Sequence, residues 1–426
     1  MKRELVDPTP THVLFPILSI TLASLVSAFN AELPQEEPAQ EAILLVPEGQ
    51  LDTQPFSLAG FWEFYPNQLI SAREMVNNPT RSLVQIPSWW PPAEGNSSIQ
   101  YGTYRMKVII PSSERQALAL YMPDVYCSYQ LQVNGEVLGK NGKVGSSKSE
   151  SAPQWKPETY FFEPTGDTLE IIVQLSNFHH HRTGINNPLL LGRAELLRGV
   201  KSRTELSDGL LMGGLTCLGL LSMVLYFKKS KISFVLYALL CLSWIVRASF
   251  SNHYQIVQWF EDINWHLLVR TEYISLYLST LFGSLLVGSL FPREVSKVFR
   301  ILFLTACAGF TLFTLFVPPL LFTAYVQLYL GLSTLLLLSI LVIVTRAYSE
   351  SREGATLVLV AAFLAVVMFG YVIMAYQGIF VMNELFFNAG FLLQFIVTLV
   401  AIHQRVGKID SGQDYDLMTF DGATRS

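Results

Sequence analysis

The sequence predicts a β-sandwich of the jelly-roll kind followed by a seven-helix membrane bundle. Three observations carry that prediction. Between residues 206 and 404 seven apolar segments follow one another with short polar breaks, each close to the roughly 20 residues a helix needs to cross a bilayer. With 51% hydrophobic and 15% charged residues and a mean hydropathy of +0.37, the chain is more apolar than a soluble protein of 426 residues. Residues 44–197 differ from the rest: they carry short alternating runs punctuated by turn residues, the pattern of half-buried strands.

The N-terminus reads as export machinery. Lys2 and Arg3 are basic, residues 13–28 are apolar, and Val26-Ser27-Ala28 offers small residues to a signal peptidase. Residues 1–31 are therefore expected to be a signal peptide. An uncleaved anchor is the alternative, because Asp7, Pro8 and Pro10 lengthen the polar lead. Residues 32–43, with Pro34 and Pro38 among acidic residues, are expected to be a disordered lead-in.

Within residues 44–197, Tyr104, Met106, Val108 and Ile110 alternate with Arg105, Lys107 and Ile109, which assigns them to opposite faces of one strand. Residues 129–133 lead through Asn134-Gly135 to Val137, the strongest short-range hairpin signal. Further strands are expected at 61–65, 83–86, 118–121, 160–162 and 169–175, with one helical stretch around Arg73. About eight short strands favour a sandwich or jelly roll. Cys127 is the lone cysteine of this part, so no intramolecular disulfide is expected in it.

The seven spans are expected at 207–227, 232–250, 267–291, 301–317, 320–344, 355–376 and 385–403. The break at Val317-Pro318-Pro319-Leu320 lacks a charge, yet the two flanking runs together are too long for one crossing. Alternate loops carry Lys228, Lys229 and Lys231, then Arg293, Lys297 and Arg300, then Arg346 and Arg352, then Arg405 and Lys408. The opposite loops carry His253, Glu261, Asp262 and Glu384. By the positive-inside rule the first set is cytoplasmic, the sandwich lies outside, and residues 405–426 form a short cytoplasmic tail. The net charge of -4 points to neither nucleic acid nor another polyanion as partner.

In one order the chain presents Leu58-Ala59-Gly60-Phe61-Trp62-Glu63-Phe64-Tyr65, Ile86-Pro87-Ser88-Trp89, Tyr101-Gly102-Thr103-Tyr104-Arg105, Val133-Asn134-Gly135, and 176–182 on to Pro188 and Leu191-Gly192. Followed by seven spans, this order resembles the bacterial seven-transmembrane receptors with diverse intracellular signalling modules, with the second type of periplasmic sensor domain. The resemblance implies a galactose-binding-like jelly roll, a location in the bacterial inner membrane, and a role as receptor. Members of that family continue into a kinase, a cyclase or a cyclic-di-nucleotide enzyme, for which residues 405–426 leave no room. The expected output is therefore a cytoplasmic signalling enzyme acting in trans; a truncated, non-signalling receptor is the other reading.

Two groups in the sandwich stand out as ligand candidates. His179-His180-His181-Arg182 suits a ligand-contacting loop, a transition metal, or a structural loop whose imidazoles bond to backbone. No third ligand with zinc spacing is evident, so no metal is expected. Trp89, Trp90, Tyr101 and Trp155 suit a stacking platform for a carbohydrate, or else the sandwich core. His180, Arg182, Trp89 and Trp155 are the ligand-binding candidates. In the spans, Arg247, Arg270 and Glu272 form a polar group near the outer ends, with Arg247 expected to pair with Glu272. Gln327, Asn388 and Gln394 suit helix-to-helix hydrogen bonds. No phosphate loop, catalytic triad, thiol motif or paired metal carboxylates is present, so neither an enzyme nor a cofactor is expected. The functional reading is a sensor of a small-molecule or carbohydrate ligand, with the oligomeric state open. The alternative is a permease or translocation subunit with an accessory outer domain.

Overall fold

The computed structural model describes residues 42–75, 80–90, 100–114, 116–251, 253–260, 262–352, 354–376 and 383–410. The expected leader, most of the lead-in and the acidic end of the tail lie outside the described residues.

Among the described residues thirteen strands precede the long helices: β1 (Ile43–Leu45), β2 (Phe56–Ser57), β3 (Gly60–Pro66), β4 (Ser82–Ile86), β5 (Ser88–Trp89), β6 (Tyr101–Ile109), β7 (Leu118–Met122), β8 (Ser128–Val133), β9 (Glu136–Asn141), β10 (Glu158–Phe162), β11 (Thr168–Ser176), β12 (Gly184–Ile185) and β13 (Leu190–Arg193). One sheet runs β4-β3-β6-β11-β8-β9, with β1 parallel to the end of β6; a second runs β10-β7-β13-β2; and β5 and β12 make a separate two-stranded ladder. The fold is the predicted β-sandwich.

Alternation in sequence becomes the two faces of the large sheet. Tyr104, Met106, Val108 and Ile110 are at most 1% exposed and meet Leu118, Leu120, Met122 and Leu191 of the small sheet in one core. On the opposite face, Arg105 bridges Glu63 at 3.0 Å and Glu170 at 2.6 Å, and Arg81 reaches Glu63 at 3.1 Å. The predicted hairpin is present: Asn134 has φ 51° and Gly135 φ 83°, joining β8 to β9 with Val133 opposite Glu136. That turn is tied to a neighbouring strand, because the Glu170 N–H donates to Asn134 Oδ1 at 2.7 Å.

Among the described residues seven helices follow that are long and apolar enough to cross a membrane: α1 (Ala194–Lys229), α2 (Ile232–Phe250), α3 (Trp265–Leu290), α4 (Lys297–Phe316), α5 (Val326–Ser349), α6 (Ala355–Tyr376) and α7 (Glu384–Asp410). The chain is a multi-pass membrane protein. The break at Pro318-Pro319 is real. Helix α4 stops at Phe316, and Pro319 opens a short helix that passes through a 3-10 turn into α5. Proline suits that first helical position because its missing N–H is not needed there.

Helix α1 holds the main difference from expectation. It begins at Ala194, directly after β13, although the apolar run begins only near residue 206. Glu195, Arg198, Lys201 and Arg203 are too polar for a span but helix-competent, so hydropathy ends before the helix does. Sandwich and bundle are thus joined by continuous helix. Asn264 caps α3 through the His266 N–H at 2.8 Å, and Ser296 caps α4 through the Phe299 N–H at 3.1 Å.

Candidate functional site

Where the sandwich meets the bundle, aromatic rings from both parts share one cluster. Trp155, in the segment between β9 and β10, has no exposed surface. From the sandwich it meets Tyr126 (ring centroids 5.4 Å apart) and His180 (5.5 Å). From the bundle it meets Tyr254 (5.3 Å) and Trp265, the first residue of α3 (5.7 Å, edge to face). Leu268, Tyr273, Phe322 and Val326 are among its other buried members.

The histidine loop is shaped by Asn177. Its Nδ2 donates to the carbonyls of His180 and Arg182, each at 2.8 Å, and to the Thr183 hydroxyl. Its Oδ1 accepts from the N–H groups of His179 (3.1 Å) and His180 (2.9 Å) and from the Cys127 thiol (2.6 Å). One buried side chain thereby makes six hydrogen bonds, five of them within its own loop. His180 lies flat on Tyr126, with centroids 4.4 Å apart and planes within 7°. Its Nδ1 lies 3.1 Å from the Arg182 N–H nitrogen and 3.2 Å from the Arg182 carbonyl oxygen, and its Nε2 lies 3.4 Å from the Tyr273 hydroxyl of α3. Burial pushes the His180 pKa down to about 3, so this ring is neutral. His179 is also lowered, first by burial and then by Lys148 and His266, and faces Trp265 at 6.0 Å. The His181 N–H donates to Thr323 Oγ1 at 3.1 Å, beyond the end of α4. Three consecutive histidines therefore rest on the bundle.

The other two candidates sit at the rim. The Arg182 guanidinium lies 5.0 Å from the Trp89 ring, and Trp89 contacts Tyr126 at 5.5 Å. Both are half-buried. The ladder that brings them together needs Gly184: at φ 116°, a Cβ there would lie 2.6 Å from the Ser88 carbonyl. All four sequence candidates thus belong to one chain of contacts, Arg182 to Trp89 to Tyr126 to His180 and Trp155. Trp90 is instead in the sandwich core, and Tyr101 stacks on Phe178.

The polar group expected in the spans is two separate contacts. Arg247 donates to the backbone carbonyl of Glu272 at 3.2 Å rather than to its carboxylate. Arg270 donates to the carbonyls of Thr314 and Leu315, closing the last turn of α4, and its guanidinium lies over Phe322. A helix C-terminus leaves its last carbonyls without intrahelical donors, and a cation there is favourable. A stronger cluster went unnoticed in the sequence. His253, between α2 and α3, places Nδ1 2.9 Å from Asp208 of α1 and Nε2 2.5 Å from Glu384 of α7. Asn388 donates to Asp208 at 2.8 Å and to Ser207 at 3.0 Å. Burial alone would lower His253, but the two carboxylates outweigh it and push its pKa up to about 10, so it is an imidazolium at neutral pH. Asp124 of the sandwich faces the same charge; burial raises its carboxyl and His253 partly offsets that.

With this geometry in view, residues 204–405 match the family model described as 7TM diverse intracellular signalling. The membrane block belongs to that family. Its seven helices are those of a receptor type, which gives the chain a membrane signalling role. Among curated proteins none matches. Among solved structures, a GH2 beta-galacturonidase from Eisenbergiella tayi bound to galacturonate is 13% identical, covering 33% of this chain and 24% of that one, with a TM-score of 0.24. A calcium-binding mutant of Bacteroides uniformis beta-glucuronidase 2 is 15% identical over 32% of this chain and 18% of that one, with a TM-score of 0.26. A Ruminococcus gnavus b-glucuronidase in complex with D-glucuronic acid is 11% identical over 32% and 29%, also with a TM-score of 0.26. This chain spans less than a third of the length of each.

Proposed function

We propose that this receptor takes a small-molecule or carbohydrate ligand at the Trp89 and Arg182 rim of the sandwich, outside the cell membrane. Occupancy is then read by the bundle through the aromatic junction and passed to a cytoplasmic signalling enzyme in trans. The observation that carries this reading is the unbroken contact chain from half-exposed Trp89 to Trp155 and on to Trp265 and Tyr273. A ring and a guanidinium side by side suit a polar ligand with one apolar face. A ligand that moves Trp89 must also move Tyr126, and Tyr126 touches both His180 and Trp155. Contacts of this kind bias a helix bundle only if it has two arrangements that differ at the junction.

The test has two stages. A panel of saccharides and other small molecules is screened by tryptophan fluorescence on the full chain, and any binder is rechecked with Trp89→Ala, Arg182→Ala and Trp155→Ala. Binding is expected to fall for the first two and to persist for the third. In native membranes a photocrosslinker at Lys297 should capture a kinase or cyclase, with a yield that the binder changes in the wild type and leaves constant in Trp155→Ala. A binder indifferent to both Trp89 and Arg182, or crosslinks confined to the receptor itself, would overturn the proposal. Orientation is checked separately: a reporter fused after Ser230 should be cytoplasmic and one after Ser251 exported.

A further inference from the structure

At the end of the bundle remote from the sandwich, α2, α3 and α4 enclose a cavity of about 430 Å³, within the roughly 300–1,000 Å³ of small-ligand sites. Its two ends differ in chemistry. Toward the membrane interior the walls are Leu236, Leu281, Leu285 and Phe303; at the helix ends they are Lys231 and Arg300. Leu281 lies nine residues before the end of α3, so the cavity extends roughly 13 Å along that helix.

Positive charge converges on the open end from two side chains and two helix ends. Lys231 stands at the start of α2, which no side chain caps, and Arg300 lies in the first turn of α4. Both helices therefore point their positive dipole ends at the same space. The Arg300 side chain is half-buried. The nearby carboxylate of Glu294 is already taken by Arg352 at 3.0 Å. Near the helix ends the wall includes Gly288, whose Cβ, if it had one, would meet nothing within 4 Å. Glycine inside a helix costs about 1 kcal/mol relative to alanine, and here it leaves space that a side chain would fill.

We infer that this cavity binds an anionic phospholipid from the adjacent leaflet, with one acyl chain between α2, α3 and α4 and the phosphate at Lys231 and Arg300. An amphiphile is the one ligand class that satisfies both ends: a free anion leaves the apolar half empty, and a zwitterionic lipid adds a cation where two already stand. Ser233 and Ser289, hydrogen-bonded to each other at 2.9 Å, lie on the wall between the two halves.

Native mass spectrometry of the full chain in detergent, titrated with phosphatidylglycerol or phosphatidylcholine, tests this directly. Phosphatidylglycerol should be retained preferentially. Arg300→Gln and Lys231→Gln should each reduce that preference, by roughly fivefold per cation removed. Gly288→Phe should abolish retention of both lipids at this site while the far-UV spectrum stays that of the wild type; Ser284→Leu, on the same wall, serves if Gly288→Phe does not fold. Equal retention of the two lipids by the wild type, or preference unchanged in all variants, would overturn the inference. Competition by inorganic phosphate alone that survives Gly288→Phe would reassign the site to a soluble anion and overturn it equally.

Discussion

Trp155 is the residue at which the junction is best tested. Its ring is fully buried, with neighbours divided between sandwich (Tyr126, His180) and bundle (Tyr254, Trp265). Truncating a buried tryptophan to alanine costs about 3–5 kcal/mol. The indole N–H has no hydrogen-bond partner among the described residues, and removing such a donor returns about 1–3 kcal/mol. Trp155→Ala should therefore destabilise the full chain by about 2 kcal/mol, and Trp155→Phe, which keeps a ring and drops the donor, by under about 1 kcal/mol. Urea unfolding in detergent, followed by far-UV circular dichroism, gives these values. The deciding comparison is with an isolated sandwich of residues 42–193, where half of the neighbours are missing and the alanine cost should fall to about 1 kcal/mol. Equal losses in the two contexts would make Trp155 a sandwich core residue and refute the junction.

The cluster around His253 should make stability depend on alkaline pH. With a folded pKa raised to about 10, His253 contributes stability that is fully present below its unfolded value of 6.5 and is lost as pH rises through 10. His253→Gln should cost about 3–5 kcal/mol at pH 7, because it leaves Asp208 and Glu384 facing each other, and should flatten the decline in melting temperature between pH 7 and 10; an unchanged slope would count against the cluster. In the sandwich, burial would raise Glu63, but hydrogen bonds from Arg105 and Tyr65 and the charges of Arg105 and Arg81 hold it below the usual carboxylate range. Its contribution is present above an ordinary glutamate pKa and lost toward acid, so Arg105→Gln should shift the acid unfolding midpoint upward. Gly135→Val places a branched side chain at φ 83° and should cost roughly 1 kcal/mol or more; an unchanged melt of the isolated sandwich would contradict the turn. Glycine at both Arg203 and Thr204 should weaken α1 by about 1–2 kcal/mol and broaden the spin-label distance distribution between Ser112 and Ser230, and an unchanged width would mean that α1 is not the tie between the two ends.

What the sequence reveals follows the range of the physics involved. The faces of β6, the Asn134-Gly135 turn and the seven apolar runs are local patterns, and each is where expectation put it. Two-residue strands such as β5 and β12 have no period to read, so only the folded chain shows that Gly184 and Trp89 are partners. The sequence leaves Trp155 open between a ligand platform and the core, and His180 between a ligand contact and a structural loop, because aromatic and imidazole side chains carry no mark of which body will cover them. They are buried by the bundle. Asp208 was hidden for another reason: it opens an apolar run, and its partner His253 is 45 residues away in a loop. Asn177 has the same character, an ordinary asparagine whose six hydrogen bonds appear only with the loop around it.

Helix α1 links these parts mechanically. Its 36 residues span roughly 54 Å, against a hydrocarbon core of about 30 Å, so several turns stand clear of the membrane. Those turns are bound to the sandwich: Leu197 is buried, Arg198 lies 4.9 Å from the Phe161 ring, and Lys201 meets Glu158 at 3.0 Å. Further along, Asp208 is held by His253 and Asn388, and past its last residue Ser230 and Lys231 line the far cavity. Sliding α1 along its axis would separate buried charges, at several kcal/mol, whereas tilting it about Asp208 keeps them together. Asp208 lies roughly 21 Å from the start of the helix and 33 Å from Ser230. A tilt imposed at the sandwich therefore arrives at Lys231 about one and a half times larger, at the same cation that the proposed lipid phosphate would hold.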